Sequence, residues 1–495
     1  MTSNRIHRIL AIHLLVLGLV AAACSGGGGD STASTTTTTT TEPAGDDVGT
    51  TAAPTVPDRD DEPDVVQTEC PVDALDDADG PVEITMWHSM TATNAEVIDQ
   101  FVADYNAAQD RVVVDASFQG IYSESFEKYI NTLRSGGDRP DVIQANETVL
   151  QQMVDSQSII PVQACIDAEG YDLSDFTGRL MDQYRIGDVV VTMPFQLSNP
   201  VLYYDGNDFV AAGLDPDQPP STFAEWLDVS RTLVASGTVE QGIALDIDPW
   251  HFEQWLNMAG VPLVDNDNGR SGRATEVLLQ SDAVTTIYRF LATLRAEGLI
   301  SNTGRGTEQS QIGKYLTIAL GDATMTVGSS STLGEIYAQI GQFPDVDLRV
   351  APLPGPTGGG TAIGGGSLYL TDDTSPEVRA AAWDFMKWLN EPTQQIAWSA
   401  ATGYIPTRKS AEGDPTLEEL WTERPGFRVA FDQLAAAGPI PGGGGPVIGD
   451  HLGVREAIVQ SLEALHDGVL PEDAQAQAHE DANEALADYN RRIGV

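Results

Sequence analysis

The side chains of this sequence best suited to chemistry stand at the ends of short apolar runs. Trp87-His88-Ser89 follows Val82, Ile84 and Met86. Gln119-Gly120-Ile121-Tyr122 comes soon after Arg111-Val112-Val113-Val114, and Asn146-Glu147 follows Pro140-Asp141-Val142-Ile143-Gln144. Aromatic rings, hydroxyls and one carboxylate make a surface for a polar ligand, not an apolar pocket. Gly328-Ser329-Ser330-Ser331 precedes a helix start near Leu333. Unpaired backbone N–H groups and serine hydroxyls at such a start favour an anion or a sugar oxygen. Enzyme signatures are missing. There is no Cys-x-x-Cys, His479-Glu480 is followed by Asn483 where a zinc helix needs histidine, and Gly313-Lys314 lacks the flanking residues of a phosphate loop. No nucleophile elbow occurs, and the seven histidines show no metal-ligand spacing. Among 73 acidic residues some carboxylate pair for glycoside hydrolysis can always be drawn, so such a pair carries no information. No cofactor and no metal are expected.

The elements that hold these residues follow from periodicity. Val82, Ile84 and Met86 alternate as a strand. Thr93-x-x-Glu96 has the capping-box pattern, and Val97, Ile98, Phe101, Val102 and Tyr105 follow at helical spacing. Arg111–Val114 is a second strand, Phe126, Tyr129, Ile130 and Leu133 mark a second helix, and Pro140–Gln144 is a third strand. This β-α-β-α-β order implies a parallel sheet with helices on its faces and ligands beyond the carboxyl ends of its strands. The middle of the chain repeats the logic. Val189–Val191 and Val201–Tyr204 read as strands, Thr222-x-x-Glu225 opens a helix that stops at Gly237, and Asp248-Pro249-Trp250-His251-Phe252 sets an aromatic cluster in a loop or at a helix start. Asp322–Val327 and Leu368–Leu370 are further strands. Ser375-Pro376 caps a helix carrying Trp383 and Trp388, and the C-terminal third is helical over Arg455–Leu465 and Pro471 to Arg492.

Arg5 and Arg8 precede an apolar run, Ile9 to Ala23, that ends in Ala21-Ala22-Ala23-Cys24. This is the pattern of a secretory signal, too short for a membrane span of roughly 20 residues. The junction resembles the bacterial lipobox, with cleavage before a lipid-modified Cys24. The Gly, Thr, Pro and Asp that follow to Thr68 cannot bury apolar surface and read as a tether; about 45 flexible residues reach roughly 35–40 Å. The rest of the chain suits two domains. A formal net charge of −47 argues against nucleic acid and anionic membrane surfaces as partners. With Cys24 lipidated, Cys70 and Cys165 remain in an oxidising compartment, where a disulfide is the default and two buried thiols the alternative.

In order along the chain stand Trp87-His88-Ser89-Met90, Tyr122, Glu147, Pro194-Phe195, Ser198-Asn199-Pro200-Val201-Leu202-Tyr203-Tyr204, Gly328-Ser329-Ser330, Ile363-Gly364-Gly365-Gly366-Ser367, Thr402-Gly403-Tyr404-Ile405-Pro406 and Gly453-Val454-Arg455. Over residues 80–492 this series resembles the extracellular solute-binding proteins (family 1) of carbohydrate-type ABC importers, nearest to their glycerol-3-phosphate and glycerophosphodiester binders. The resemblance implies two α/β lobes, each a sheet flanked by helices, with a ligand cleft between them. Tyr122 and Glu147 would meet a polyol or head group and Trp250 would pack on the ligand. Ser198, Ser330, Gly365, Tyr404 and Arg455 would meet phosphate, and no catalysis is implied. Gln196-Leu197 and His251-Phe252 depart from the subgroup pattern.

The boundaries that follow are a signal peptide at 1–23, a lipid-anchored tether at 24–68, a first lobe from 69–195 and about 334–390, and a second from about 196–333 and 391–495. The expected function is capture of a phosphorylated polyol or a sugar outside the cell and its delivery to an ABC permease. The expected form is a monomer anchored to the outer face of the membrane through Cys24. A neutral di- or oligosaccharide is the competing ligand, and a surface glycan hydrolase the competing class. Each assigned residue also has a structural alternative. Arg455 could pair with Glu456 or Glu463, Trp250 could be core, Glu147 could cap the next helix, and Ser198 and Ser330 could form turns.

Overall fold

The computed structural model describes residues 69–495, apart from 178–179, 307, 341 and 358. The expected signal peptide, the tether and Cys24 lie outside the described residues. The strands are β1 (Val82–His88), β2 (Val112–Phe118), β3 (Val142–Asn146), β4 (Ile159–Ile160), β5 (Arg185–Ile186), β6 (Val189–Val190), β7 (Met193–Pro194), β8 (Pro200–Asp205), β9 (Gln241–Ile247), β10 (Ile300–Arg305), β11 (Ala323–Ser329), β12 (Leu348–Pro352) and β13 (Gly366–Thr371). They form two main sheets, ordered β2-β1-β3-β13-β4 and β10-β9-β11-β8-β12, with β7 added to β13.

The first sheet grows from the expected β-α-β-α-β segment. β1 turns Ile84, Met86 and His88 inward and runs parallel to β2 and β3. Helices Ala92–Ala108 and Tyr122–Ser135 make the crossovers that parallel pairing requires. The N-cap of the first of these falls two residues before the expected one: Thr91 holds the position without a side-chain bond, so Thr93 lies inside the helix. β13 returns from far along the chain to pair antiparallel with β3 and β4.

The second sheet is built around β8, buried at every residue and paired antiparallel with β11 and β12. A strand buried on both faces needs both edges covered, and β12 supplies the second. The sequence reading placed residues 348–352 in the first lobe; their pairing with β8 puts them in the second sheet. Helix Pro392–Thr402, expected in the second lobe, carries Trp398 into the first core, where its ring stacks on Phe195 at 5.4 Å and meets Phe101 at 6.2 Å. Apolar burial outweighed chain order in both places. The expected capping box at Thr222 forms in full: the Glu225 N–H donates to Thr222 Oγ1 (3.2 Å) and the Thr222 N–H to Glu225 Oε2 (3.2 Å).

The chain passes between sheets through 195–199 and 353–365. These crossings are stitched together where the Ser198 N–H donates to the Gly364 carbonyl (2.8 Å) and the Gly364 N–H to that of Ser198 (2.9 Å). A Cys70–Cys165 disulfide ties the first described residues to helix Gln163–Glu169. Closing a loop of that length stabilises the fold by about 4–5 kcal/mol in the chain-entropy model. Among the described residues no helix is long and apolar enough to cross a membrane.

Candidate ligand-binding site

The site begins with one cation held by two carboxylates. Helix His451–Asp467 packs on the second sheet's side and carries His451 and Arg455 four residues apart, hence on one face. Both reach Glu253, on helix Pro249–Met258. Arg455 donates through Nε to Glu253 Oε1 (2.8 Å) and through Nη2 to Oε2 (2.6 Å). His451 Nε2 lies 2.8 Å from Oε1, and because a carboxylate only accepts, the imidazole is the donor. Arg455 Nη2 also donates to Glu147 Oε1 at 3.3 Å. Glu147 follows β3 and so belongs to the first lobe, making this a contact from lobe to lobe. Burial would raise the Glu253 carboxyl, but Arg455 and His451 outweigh it and hold the group down at about 2. Arg455 is likewise desolvated, yet Glu253 and Glu147 keep it firmly charged. Its Nη1 makes no hydrogen bond among the described residues.

Around Glu147 stands an aromatic and amide wall from the first lobe. Tyr122 is the first residue of its helix and donates to Gln196 Oε1 at 3.3 Å; the amide of Gln144 donates to the same oxygen. Burial pushes the Tyr122 hydroxyl well up, reinforced by Tyr404 and Glu147. Tyr404 is also raised, to about 12, by burial. Its ring stacks on Trp398 at 5.3 Å, so it takes part in the hinge packing and still reaches the site. Both phenols are therefore neutral donors at physiological pH.

The second lobe closes the other side. Asp248 caps the Trp250 helix, accepting from the Trp250 N–H at 2.9 Å, and Pro249 opens it. This settles the loop-or-helix alternative as a helix start. Trp250 is half-buried, and its ring lies against Gly364: a Cβ there would stand 2.7 Å from Trp250 Cζ2. Gly365 has φ +118°, and a Cβ there would strike the Gln196 carbonyl at 2.0 Å. Ser198 spends its backbone groups on Gly364. Ser330 donates its N–H to the Asn199 carbonyl (3.0 Å), while its buried Oγ has no hydrogen-bond partner among the described residues.

The eight residues singled out from sequence thus fall into two sets. Tyr122, Glu147, Tyr404 and Arg455 are linked through direct contacts and mutual charge effects. Ser198, Trp250, Ser330 and Gly365 line the crossing segments beside them. The surface partners considered for Arg455, Glu456 and Glu463, are taken instead by Arg305 (3.0 and 2.7 Å). Glu147 is the first residue of a short 3-10 helix, the place its structural alternative gave it, and its carboxylate accepts from Arg455, a partner the sequence did not suggest. Sequence reasoning missed Glu253, His451, Gln144 and Gln196. The first two left a trace: Glu253 lies three residues after Trp250, and His451 four before Arg455, spacings that put each pair on one helix face. Gln196 stands out in the sequence only as a departure from the subgroup pattern, and Gln144 left no trace, since a buried glutamine in a strand has no pattern of its own.

Residues 100–428 match the family described as bacterial extracellular solute-binding protein. The chain is 28% identical over 432 residues to the sn-glycerol-3-phosphate-binding periplasmic protein UgpB of Shigella flexneri, covering 84% of this chain and 95% of that one. In structure it resembles the cyclic alpha-maltosyl-1,6-maltose binding protein of Arthrobacter globiformis (TM-score 0.67, 25% identity, 83% and 100% of the two chains). It also resembles UgpB from Mycobacterium tuberculosis in complex with glycerophosphocholine (TM-score 0.65, 22% identity, 84% and 100%).

Proposed function

Because the chain belongs to the bacterial extracellular solute-binding proteins, we propose that it is the solute-capturing component of an ABC importer, taking a glycerophosphodiester or glycerol-3-phosphate. The observation that carries the reading is the meeting of Tyr122, Tyr404 and Glu147 from one lobe with Arg455 from the other at a single place between the sheets. The chain is a binding protein, not an enzyme, and the site needs no covalent step. The phosphate approaches the Nη1/Nη2 edge of Arg455, the edge Glu253 leaves free, and replaces Glu147 at Nη2 with charge-assisted bonds. Glu147, released, accepts from the ligand's hydroxyls or faces its cationic head group. The Tyr122 and Tyr404 hydroxyls donate, and the half-exposed face of Trp250 covers a polyol or a quaternary ammonium. Lobe motion occurs about 195–199 and 353–365, and the closed form meets the permease. The N-terminal signal, Cys24 and the tether extend the reading to a lipid-anchored receptor on the outer face of the cell membrane.

One observation favours a second reading. Arg455 is already paired to two carboxylates, so the cluster presents no excess positive charge, which suits a neutral di- or oligosaccharide. A thermal-shift series separates the two. Glycerol-3-phosphate and glycerophosphocholine are expected to raise the melting temperature, and maltose and trehalose to leave it unchanged. The reverse pattern would establish the sugar reading.

A further inference from the structure

The reading above gives Glu253 no contact with the ligand, since it lies behind Arg455 and only keeps that donor aimed. Resting on that reading, we propose that Glu253 is a specificity-determining residue that sets how much negative charge the cleft accepts, favouring a singly charged phosphodiester over a doubly charged phosphomonoester.

The argument is one of charge and geometry. Two N–H groups of Arg455 are committed to Glu253, whose side chain is 4% exposed, and the pair is locked by His451 from the same helix face as Arg455. Glu147 adds a second carboxylate at 3.3 Å. Another buried cation of this lobe, Lys314, is bound to Asp246 at 2.8 Å. Among the described residues no second Lys or Arg is paired to the Arg455 cluster. One guanidinium, with the His451 imidazole beside it, therefore faces two carboxylates before any ligand enters, and of these Glu253 is the fixed one. A ligand with one negative charge meets this field once and a ligand with two meets it twice, in a partly desolvated site where charge interactions are stronger than in water. Glu253 cannot step aside as Glu147 can, because it is held by three hydrogen bonds inside its own lobe. The penalty on the second charge is thus built in.

The test compares glycerol-3-phosphate and glycerophosphocholine by calorimetry at pH 8, where the monoester carries two charges. The parent and Glu253→Gln are titrated, and the ratio of the two dissociation constants is read. Any loss of geometry in the variant weakens both ligands and cancels in the ratio. The expectation is that the parent prefers the diester and that the variant shifts the ratio at least fivefold toward the monoester. An unchanged ratio, with both esters still bound, overturns the role of Glu253 alone. A parent that binds neither ester overturns the phosphate reading together with it. A second measurement needs no variant. Glu253 faces Arg455 and His451 from helix His451–Asp467, Glu147 lies across Arg455 in the first lobe, and Asp248 stands on its own helix. Protonation of any of these changes the field that both ligands meet, and of the two ligands only the monoester titrates between pH 8 and 5.5. Monoester affinity relative to diester is expected to rise as pH falls through that range; a relative fall overturns the proposal.

Discussion

Arg455 of the second lobe and Glu147 of the first stand 3.3 Å apart, Nη2 to Oε1, with Glu253 fixed behind the guanidinium at 2.6 Å. One cation thus links its own lobe firmly and the opposite lobe lightly. In the proposed function the light contact is the one a ligand replaces, and the firm one keeps the donor aimed.

That arrangement changes what an Arg455 substitution means. Arg455→Ala removes the anion donor but also leaves Glu253 buried without its main partner, an uncompensated buried charge that costs about 3–5 kcal/mol. The variant should lose phosphate-ester binding at least a hundredfold and also melt at lower temperature. Adding Glu253→Gln should restore much of the melting temperature without restoring binding. Calorimetry paired with thermal melts checks this; recovery of binding in the double variant would place the anion elsewhere.

Trp250 contributes by contact, not by charge. Its ring is half-buried and leans on Gly364 instead of filling a core. Trp250→Ala should therefore weaken ligand binding about tenfold, equivalent to about 1.4 kcal/mol, with little change in melting temperature. A large drop in melting temperature with unchanged affinity would return Trp250 to a structural role.

A second contact between the lobes lies away from the site. Arg273 grips Asp155 through both guanidinium ends (2.9 and 2.6 Å), and the Tyr489 hydroxyl donates to the same carboxylate at 2.8 Å. Asp155 sits in the helix following Glu147, while Arg273 and Tyr489 belong to the second lobe. Asp155→Asn should favour lobe separation, weakening every ligand by the same few-fold factor and enlarging the ligand-free particle in small-angle scattering. Unchanged scattering together with unchanged affinity would remove this contact from the closure equilibrium.

Acid should expose the Glu253 pair. Its carboxyl is held down at about 2 in the fold, against about 4.3 when free. A depressed carboxylate contributes stability that is full above the free value and fades as pH falls toward the folded one. The stability gap between parent and Glu253→Gln should be constant above about pH 4.5, shrink below it and close near pH 2. Denaturant unfolding at a series of pH values measures the gap. A gap that ignores pH would mean that the ionised pair contributes nothing.

Much of this was legible in the sequence because period and order are local. The alternation at Val82–Met86 and the crossovers after it gave the first sheet, and Thr222-x-x-Glu225 gave a cap that forms as written. What local pattern cannot carry is the partner of a distant strand. β12 joins β8 across more than a hundred residues, and Trp398 enters the first core because that is where its ring is buried. The site divides the same way. Residues named by motif (Tyr122, Glu147, Tyr404 and Arg455) converge, whereas Glu253 acquires its meaning only when two helices, two hundred residues apart in sequence, are packed together.

The most direct test of the central claim is a calorimetric titration of the purified protein with glycerophosphocholine, followed by recovery of the ligand. The account predicts one molecule bound per chain, with a dissociation constant of about 1 μM or tighter, released chemically unaltered. No heat with either phosphate ester, alongside saturable binding of maltose or trehalose, would contradict it.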